Sequence, residues 1–317
     1  MATMLLASLA MEPAWRMVQR ARLPEGWLLV RPPHEVSCLL REGGVLWAGG
    51  NDGLFRLDAS SGARRPEAES ESPVRQVRAL VRERDGTLWA AHGAGLEVRR
   101  AGRWSRVAGA EGVWWSLLAA EDGGVWASGE SGVARAREGR AEMLWTCAAL
   151  GLGPITLLAP ALEGGLWAAS NSPTAGGLVR LRPDGGFEAP AWRARLPHPS
   201  VNAIWTDADG TLWLGTGFGR RGGLFRLRAG ETSVWTKQDG LAGEMVRSVW
   251  RDRAGRLWVG SEYDGIVYES NGGWRRLTPK DGLAGWEVKA MVEDGAGGLW
   301  LGTERGLTRL PLPGDEQ

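Results

Sequence analysis

Short runs of alternating apolar and polar residues recur along the chain from about residue 25, as in Val201-Asn-Ala-Ile-Trp205 and Val246-Arg-Ser-Val-Trp250. Period-two alternation predicts strands rather than helices, which would need a 3.6-residue period. A tight acidic-glycine turn follows each run, such as Asp207-Ala-Asp-Gly210 or Glu293-Asp-Gly295. Asp and Gly suit such turns because both tolerate a positive φ. A second strand then carries a tryptophan in a phrase that occurs seven times: Val45-Leu-Trp47, Thr87-Leu-Trp89, Gly124-Val-Trp126, Gly165-Leu-Trp167, Thr211-Leu-Trp213, Arg256-Leu-Trp258 and Gly298-Leu-Trp300. A third strand follows a glycine-bearing loop, as in Gly53-Leu-Phe-Arg-Leu57 and Gly223-Leu-Phe-Arg-Leu227. A fourth, outer strand carries a further aromatic residue at Trp104, Trp145, Trp192, Trp235 and Trp274.

The steps between the seven tryptophans are 42, 37, 41, 46, 45 and 42 residues. A strand-rich repeat of that length is the signature of propeller blades. The expectation is an all-β, seven-bladed propeller of four-stranded antiparallel blades over residues 25–317, preceded by an arm over residues 1–24. The last unit stops after Gly306-Leu-Thr-Arg-Leu310 and lacks an outer strand. An open ring would expose sheet edges, so Gly26-Trp-Leu-Leu-Val-Arg31 is predicted to close it, with Trp27 on the outer strand of the last blade. Ala14-Trp-Arg-Met-Val-Gln19 is the competing choice.

The phrase D-x-x-G-x-L-W-x-G-T-x-x-G-L-x-R with a D-G-L lead-in resembles the two-component regulator propeller repeat. Asp207 to Thr216 and Gly297 to Leu307 carry its centre, and Asp239-Gly-Leu241 and Asp281-Gly-Leu283 its lead-in. The later blades stay close to the pattern and the earlier ones drift, with Ala-His or Ala-Ser where Gly-Thr is expected. The resemblance implies a sensory or binding propeller, often for carbohydrates, in membrane histidine kinases. Without a kinase or an 18-residue apolar stretch, this chain is expected to be a free-standing propeller. The fold also resembles streptogramin lyase, but no motif transfers a lyase site, and fold alone is a weak warrant for function.

Composition narrows the rest. The 317 residues carry 38 Lys+Arg and 37 Asp+Glu, a formal net charge of +1, which argues against nucleic acid and anionic membranes as partners. Two cysteines, Cys38 and Cys147, cannot form a disulfide scaffold and are expected to be inert residues inside strands. Tryptophan occurs 19 times against 2 Tyr and 4 Phe, and the repeated ones are expected between the sheets.

In a propeller, the loops entering strand one and those joining strands two and three open on one face around the central channel. The second position of each inner strand is Ser37, Arg78, Trp115, Thr156, Asn202, Arg247 or Lys289. Three of these are cationic, so a mouth pocket for an anionic or polyhydroxyl group is one expectation, with Trp115 or Trp286 as a stacking platform. Arg220 and Tyr263 lie on loops of the same face. The alternative is that these side chains meet only channel water or neighbouring blades. His34, His92 and His198 share that face, but zinc needs three or four convergent ligands, so neither metal nor cofactor is expected. Three functions stand open: a non-enzymatic scaffold facing a protein partner, a sensor of a small polar or anionic ligand, and a lyase or hydrolase. Met4-Leu-Leu-Ala-Ser-Leu-Ala-Met11 lacks the basic start of a signal peptide. That favours the cytoplasm over export or the periplasm, and a retained arm that touches a partner.

Overall fold

The computed structural model describes residues 23–65, 74–162 and 164–314; the alternative closing strand, and all of the N-terminal arm before Leu23, lie outside them. The ring is closed by β1 (Leu28–Val30). Blade 1 holds β2 (Cys38–Glu42), β3 (Val45–Gly50) and β4 (Gly53–Asp58); blade 2 holds β5 (Val77–Arg82), β6 (Leu88–His92), β7 (Gly95–Arg100) and β8 (Arg103–Arg106). Blade 3 holds β9 (Trp114–Ala119), β10 (Val125–Gly129), β11 (Gly132–Arg137) and β12 (Arg140–Thr146). Blade 4 follows with β13 (Leu157–Pro160), β14 (Leu166–Ser170), β15 (Gly177–Leu181) and β16 (Phe187–Glu188). Blade 5 has β17 (Val201–Thr206), β18 (Leu212–Phe218), β19 (Arg221–Arg228) and β20 (Glu231–Trp235). Blade 6 has β21 (Val246–Arg251), β22 (Leu257–Ser261), β23 (Ile266–Ser270) and β24 (Gly273–Leu277). Blade 7 completes the ring with β25 (Val288–Glu293), β26 (Gly298–Thr303) and β27 (Gly306–Pro311).

Six sheets are four-stranded, and in blade 7 the order is β1-β27-β26-β25. The closing strand pairs antiparallel with β27, Leu28 opposite Arg309 and Val30 opposite Leu307. Trp27 stands one residue before that strand and packs on the cluster of Tyr268, Leu283 and Leu310 between blades 6 and 7. Blade 1 is three-stranded among the described residues, its outer position marked by a single bridge from Leu57 to Arg64.

Each sheet is sandwiched between two others, so its middle strands bury both faces. Every residue of β6, β22 and β26 is buried, whereas the innermost β5 and β25 are half-exposed beyond their first residue. The core is therefore a set of seams between blades. Trp300 and Leu307 of blade 7, for example, pack with Leu46, Phe55 and Leu57 of blade 1.

The repeated tryptophans fill these seams unevenly. Trp47, Trp89, Trp213, Trp258 and Trp300 are at most 5% exposed, but Trp126 and Trp167 are half-buried. The turn between strands one and two differs in the same two blades. Trp89, Trp213 and Trp258 each donate an indole N–H to the carboxylate six residues earlier: Glu83 at 2.6 Å, Asp207 at 2.8 Å and Asp252 at 3.0 Å. The equivalent residues in blades 3 and 4 are Ala120 and Ala161, which make the same turn hydrogen bonds but offer no acceptor. In blade 7, Asp294 holds Arg309, and the Trp300 indole reaches Ala59 O of blade 1 at 2.7 Å. The carboxylates of these turns are thus committed to side chains of the fold. In blade 5 the arginine of strand three stands directly opposite the tryptophan, Arg226 opposite Trp213, with its guanidinium 5.8 Å from the ring centroid.

Two expectations need correction. Trp192 is not on an outer strand. Outer strand β16 ends after two residues, and Trp192 lies on the 3-10 turn Ala191–Arg195, stacked at 5.5 Å on Phe225 of the next blade. Cys147 is not in a strand either: it opens the helical turn Cys147–Leu150, which Thr146 caps. Burial raises both thiols, Cys38 to about 12, so neither is a ready nucleophile.

Candidate functional site at the channel mouth

The residues singled out at the second position of the inner strands share a structural cause. In blades 2, 5, 6 and 7 the register between strands one and two slips there, from Val77 to Ala79, Val201 to Ala203, Val246 to Ser248 and Val288 to Ala290. Blade 3 slips between Ser128 and Gly129, leaving Trp115 without a partner. Arg78, Trp115, Asn202, Arg247 and Lys289 are thus bulge residues, released from the ladder and re-aimed, as bulges do beside functional sites. Ser37 and Thr156 stand just before their strands and donate their amides to Gly49 and Ala169.

Across blades 6, 7 and 1 the bulge cations join a continuous ionic chain. Arg247 Nε lies 3.2 Å from Glu262 and 2.8 Å from Glu287. Lys289 Nζ lies 3.2 Å from Glu287 and 2.7 Å from Glu35, which also accepts the Ser37 hydroxyl at 3.0 Å. The three carboxylates are 13–19% exposed and the two cations 17% and 30%. Burial alone would raise the Glu35 carboxyl, but the hydrogen bond and charge of Lys289 outweigh it and hold it below the usual range. Glu262 goes the other way. Burial pushes it up, Arg247 opposes, and the neighbouring Glu287 adds to the rise.

Two of the three mouth cations are therefore already neutralised. Arg78 differs: it lies over the Trp115 ring at 5.9 Å, forms no ion pair among the described residues, and its buried Nε has no hydrogen-bond partner. Asn202 is buried and its amide donates to Gly217 O at 2.8 Å, so it braces the blade 5 hairpin instead of facing a ligand. Trp286 is half-buried; Glu304 accepts its amide and that of Glu287 at 3.0 and 2.9 Å. Tyr263, 52% exposed, sits under Arg220 with the guanidinium 5.7 Å from its ring. The eight predicted site residues occupy one end of the ring as two clusters, Arg78 with Trp115 and the others over blades 5 to 7.

Several acids of this face serve the backbone. Asp52 and Glu130 accept the amides of His34 at 3.0 Å and Val113 at 3.3 Å. Among the described residues no group of three or more His, Cys, Asp and Glu could hold a metal ion. His34 pairs with Asp52 at 2.9 Å, while burial lowers His92 and His198 below the usual imidazole range. The sequence could not pair Glu35, Glu262 and Glu287 with the cations of the inner strands, because they come from three different loops and only ring closure brings Glu35 beside Lys289.

No protein-family model matches the chain, and no curated protein sequence does. Among solved structures, the extracellular domain of BT3049 from B. thetaiotaomicron, described as a hybrid two-component system, superposes with a TM-score of 0.73 at 15% identity over 90% of this chain. The likeness is one of fold. The chain spans 41% of that structure. Virginiamycin B lyase from Staphylococcus aureus gives 0.65 at 14% identity, covering 90% of this chain and 98% of the lyase. YCF48 bound to D1 peptide gives 0.67 at 12%, covering 91% and 97%. Propellers of this shape thus occur in a two-component system, an enzyme and a peptide complex. No helix among the described residues is long and apolar enough to cross a membrane, and the extracellular setting of BT3049 gives the cytoplasmic expectation no support.

Proposed function

We propose that this chain is a non-enzymatic binding propeller, in signalling or regulation, that presents its channel-mouth face to a protein partner. One observation carries the reading. Five ionisable groups of the mouth are locked into the Glu262–Arg247–Glu287–Lys289–Glu35 chain across three blades, while Tyr263 and Trp286 stand at its edge. A half-buried ionic chain holds its loops in one arrangement, and aromatic and arginine side chains on such a support carry most of the energy of an interface. The peptide complex of a similarly folded protein supports the reading. A second reading, a small anionic or polyhydroxyl ligand, draws on the unpartnered Arg78 Nε above Trp115.

The test immobilises the wild-type chain, a Tyr263→Ala/Trp286→Ala variant and a rear-face Leu162→Ser variant, and identifies by mass spectrometry what each retains from an extract of the source organism. A protein held by the wild type and Leu162→Ser but lost by the mouth variant supports the proposal. Retention that ignores the mouth substitutions overturns it.

A further inference from the structure

We infer that the blade 5 hairpin docks an acidic, extended segment of the partner; this rests on the binding reading above and names the chemistry recognised. Strands β18 and β19 are seven and eight residues long, against five and five for β22 and β23 of the next blade. Two extra pairs, Gly217 with Gly222 and Phe218 with Arg221, carry this hairpin past the level at which its neighbour turns. The connection is the dipeptide Gly219-Arg220, with φ of 57° and 64°, the tight turn whose twist matches a hairpin. An arginine in that left-handed region is uncommon, so a side chain is kept where glycine would sit with less strain.

The hairpin is braced at its base. Asn202 donates to Gly217 O at 2.8 Å, and the Gly217 amide to Ser200 O at 2.9 Å. What projects beyond the brace is unsatisfied. Phe218 is 53% exposed, and Arg221, directly opposite on the ladder, shares its face of the hairpin. Arg220 and Arg221 are exposed and form no ion pair among the described residues, although Arg247, Arg251, Arg253 and Arg276 of the adjoining blade each have an acid. Of the neighbouring acids, Glu262 pairs with Arg247 and Asp264 with Arg276, and Glu244 on the flanking loop pairs with neither hairpin arginine. Two guanidinium groups without an ion pair among the described residues, beside the exposed rings of Phe218 and Tyr263, fit carboxylates interleaved with apolar side chains. With the chain at +1 overall, the patch is a local feature, too small for the broad basic field that nucleic acid requires.

The test is fluorescence anisotropy with a fluorescein-labelled acidic peptide containing phenylalanine and its counterpart with lysine for each acid. The acidic peptide should bind the wild type and weaken with salt, and Arg220→Glu/Arg221→Glu should reduce its affinity about tenfold or more, as reversing close interfacial charges does. Phe218→Ala should weaken it at unchanged salt dependence, and near-ultraviolet dichroism should show both variants folded. Equal binding of the lysine peptide, unchanged affinity of the charge-reversed variant, or equal affinity for a single-stranded oligonucleotide would each overturn the inference. If the extract protein stays on Arg220→Glu/Arg221→Glu but leaves Tyr263→Ala/Trp286→Ala, the hairpin inference falls and the mouth-face reading stands.

Discussion

Deleting residues 1–31 strips β1 from blade 7, and the cost can be worked against a reference chain that begins at Leu23. The deletion removes three ladder pairs with β27, each hydrogen bond contributing about 1 kcal/mol net. Trp27, Leu28 and Val30 are half-buried against the seams on either side of blade 7, and burying half of such a side chain is worth about 1 kcal/mol. The sum is about 6 kcal/mol, before counting the new exposure of Trp300, Leu307 and Leu310, now 0%, 0% and 2% exposed. Domains are stable by only about 5–15 kcal/mol, so the loss takes most of the margin. With a denaturant slope of about 3 kcal/mol per M, the urea midpoint should fall by about 2 M or more. The assay is equilibrium unfolding followed by tryptophan fluorescence on both chains. Equal midpoints and slopes would refute the closure argument, since an edge strand that can be lost at no cost does not hold the ring.

Two further outcomes follow from the turn carboxylates and the ionic chain. Ala161→Asp should stabilise by about 1 kcal/mol, the net value of one hydrogen bond, and blue-shift tryptophan emission. It restores to Trp167 the acceptor that Trp213 and Trp258 have, and Arg180 opposite Trp167 is placed to share the carboxylate as Arg309 shares Asp294; a lowered melting temperature would count against this account. Glu262→Gln tests the raised carboxyl. A group whose folded pKa lies above its unfolded value favours the fold below the unfolded pKa and loses that favour as pH rises through the folded one. The neutral variant should therefore gain melting temperature over the wild type as pH goes from 4 to 7, and a difference that is flat or shrinks with pH would contradict the assignment.

How much of this was legible beforehand depends on whether a feature is local. The blade count and the strand order within each blade are written as short-range patterns, because a blade is a run of neighbouring strands and its hydrogen bonds join residues close in the chain. The closing strand, whose Leu28 pairs with Arg309, was legible only because the last unit lacks an outer strand. The missing carboxylates of blades 3 and 4 were equally visible, as Ala120 and Ala161 six residues before Trp126 and Trp167, once the acceptor role of that position is known. Trp192 was misplaced because an outer strand is held on one side only, and Pro190 and Ala191–Arg195 break it after β16. The mouth was half legible. The cations of the inner strands stood out at a constant register, but not the bulges that re-aim them or the acids that neutralise them.

Periodicity alone thus determined the architecture: seven copies of a tryptophan-bearing strand at a near-constant step admit one closed arrangement, since every sheet must bury both faces against a neighbour. Only the tertiary structure decided which polar groups remain free. Lys289 and Glu35 are 254 residues apart yet hydrogen-bonded, and Arg247 is matched to Glu287 from the following blade, whereas Arg220 and Arg221, on a hairpin longer than its neighbour's, have no ion pair among the described residues. Charge pairing depends on distance in space, and in a ring the first blade meets the last.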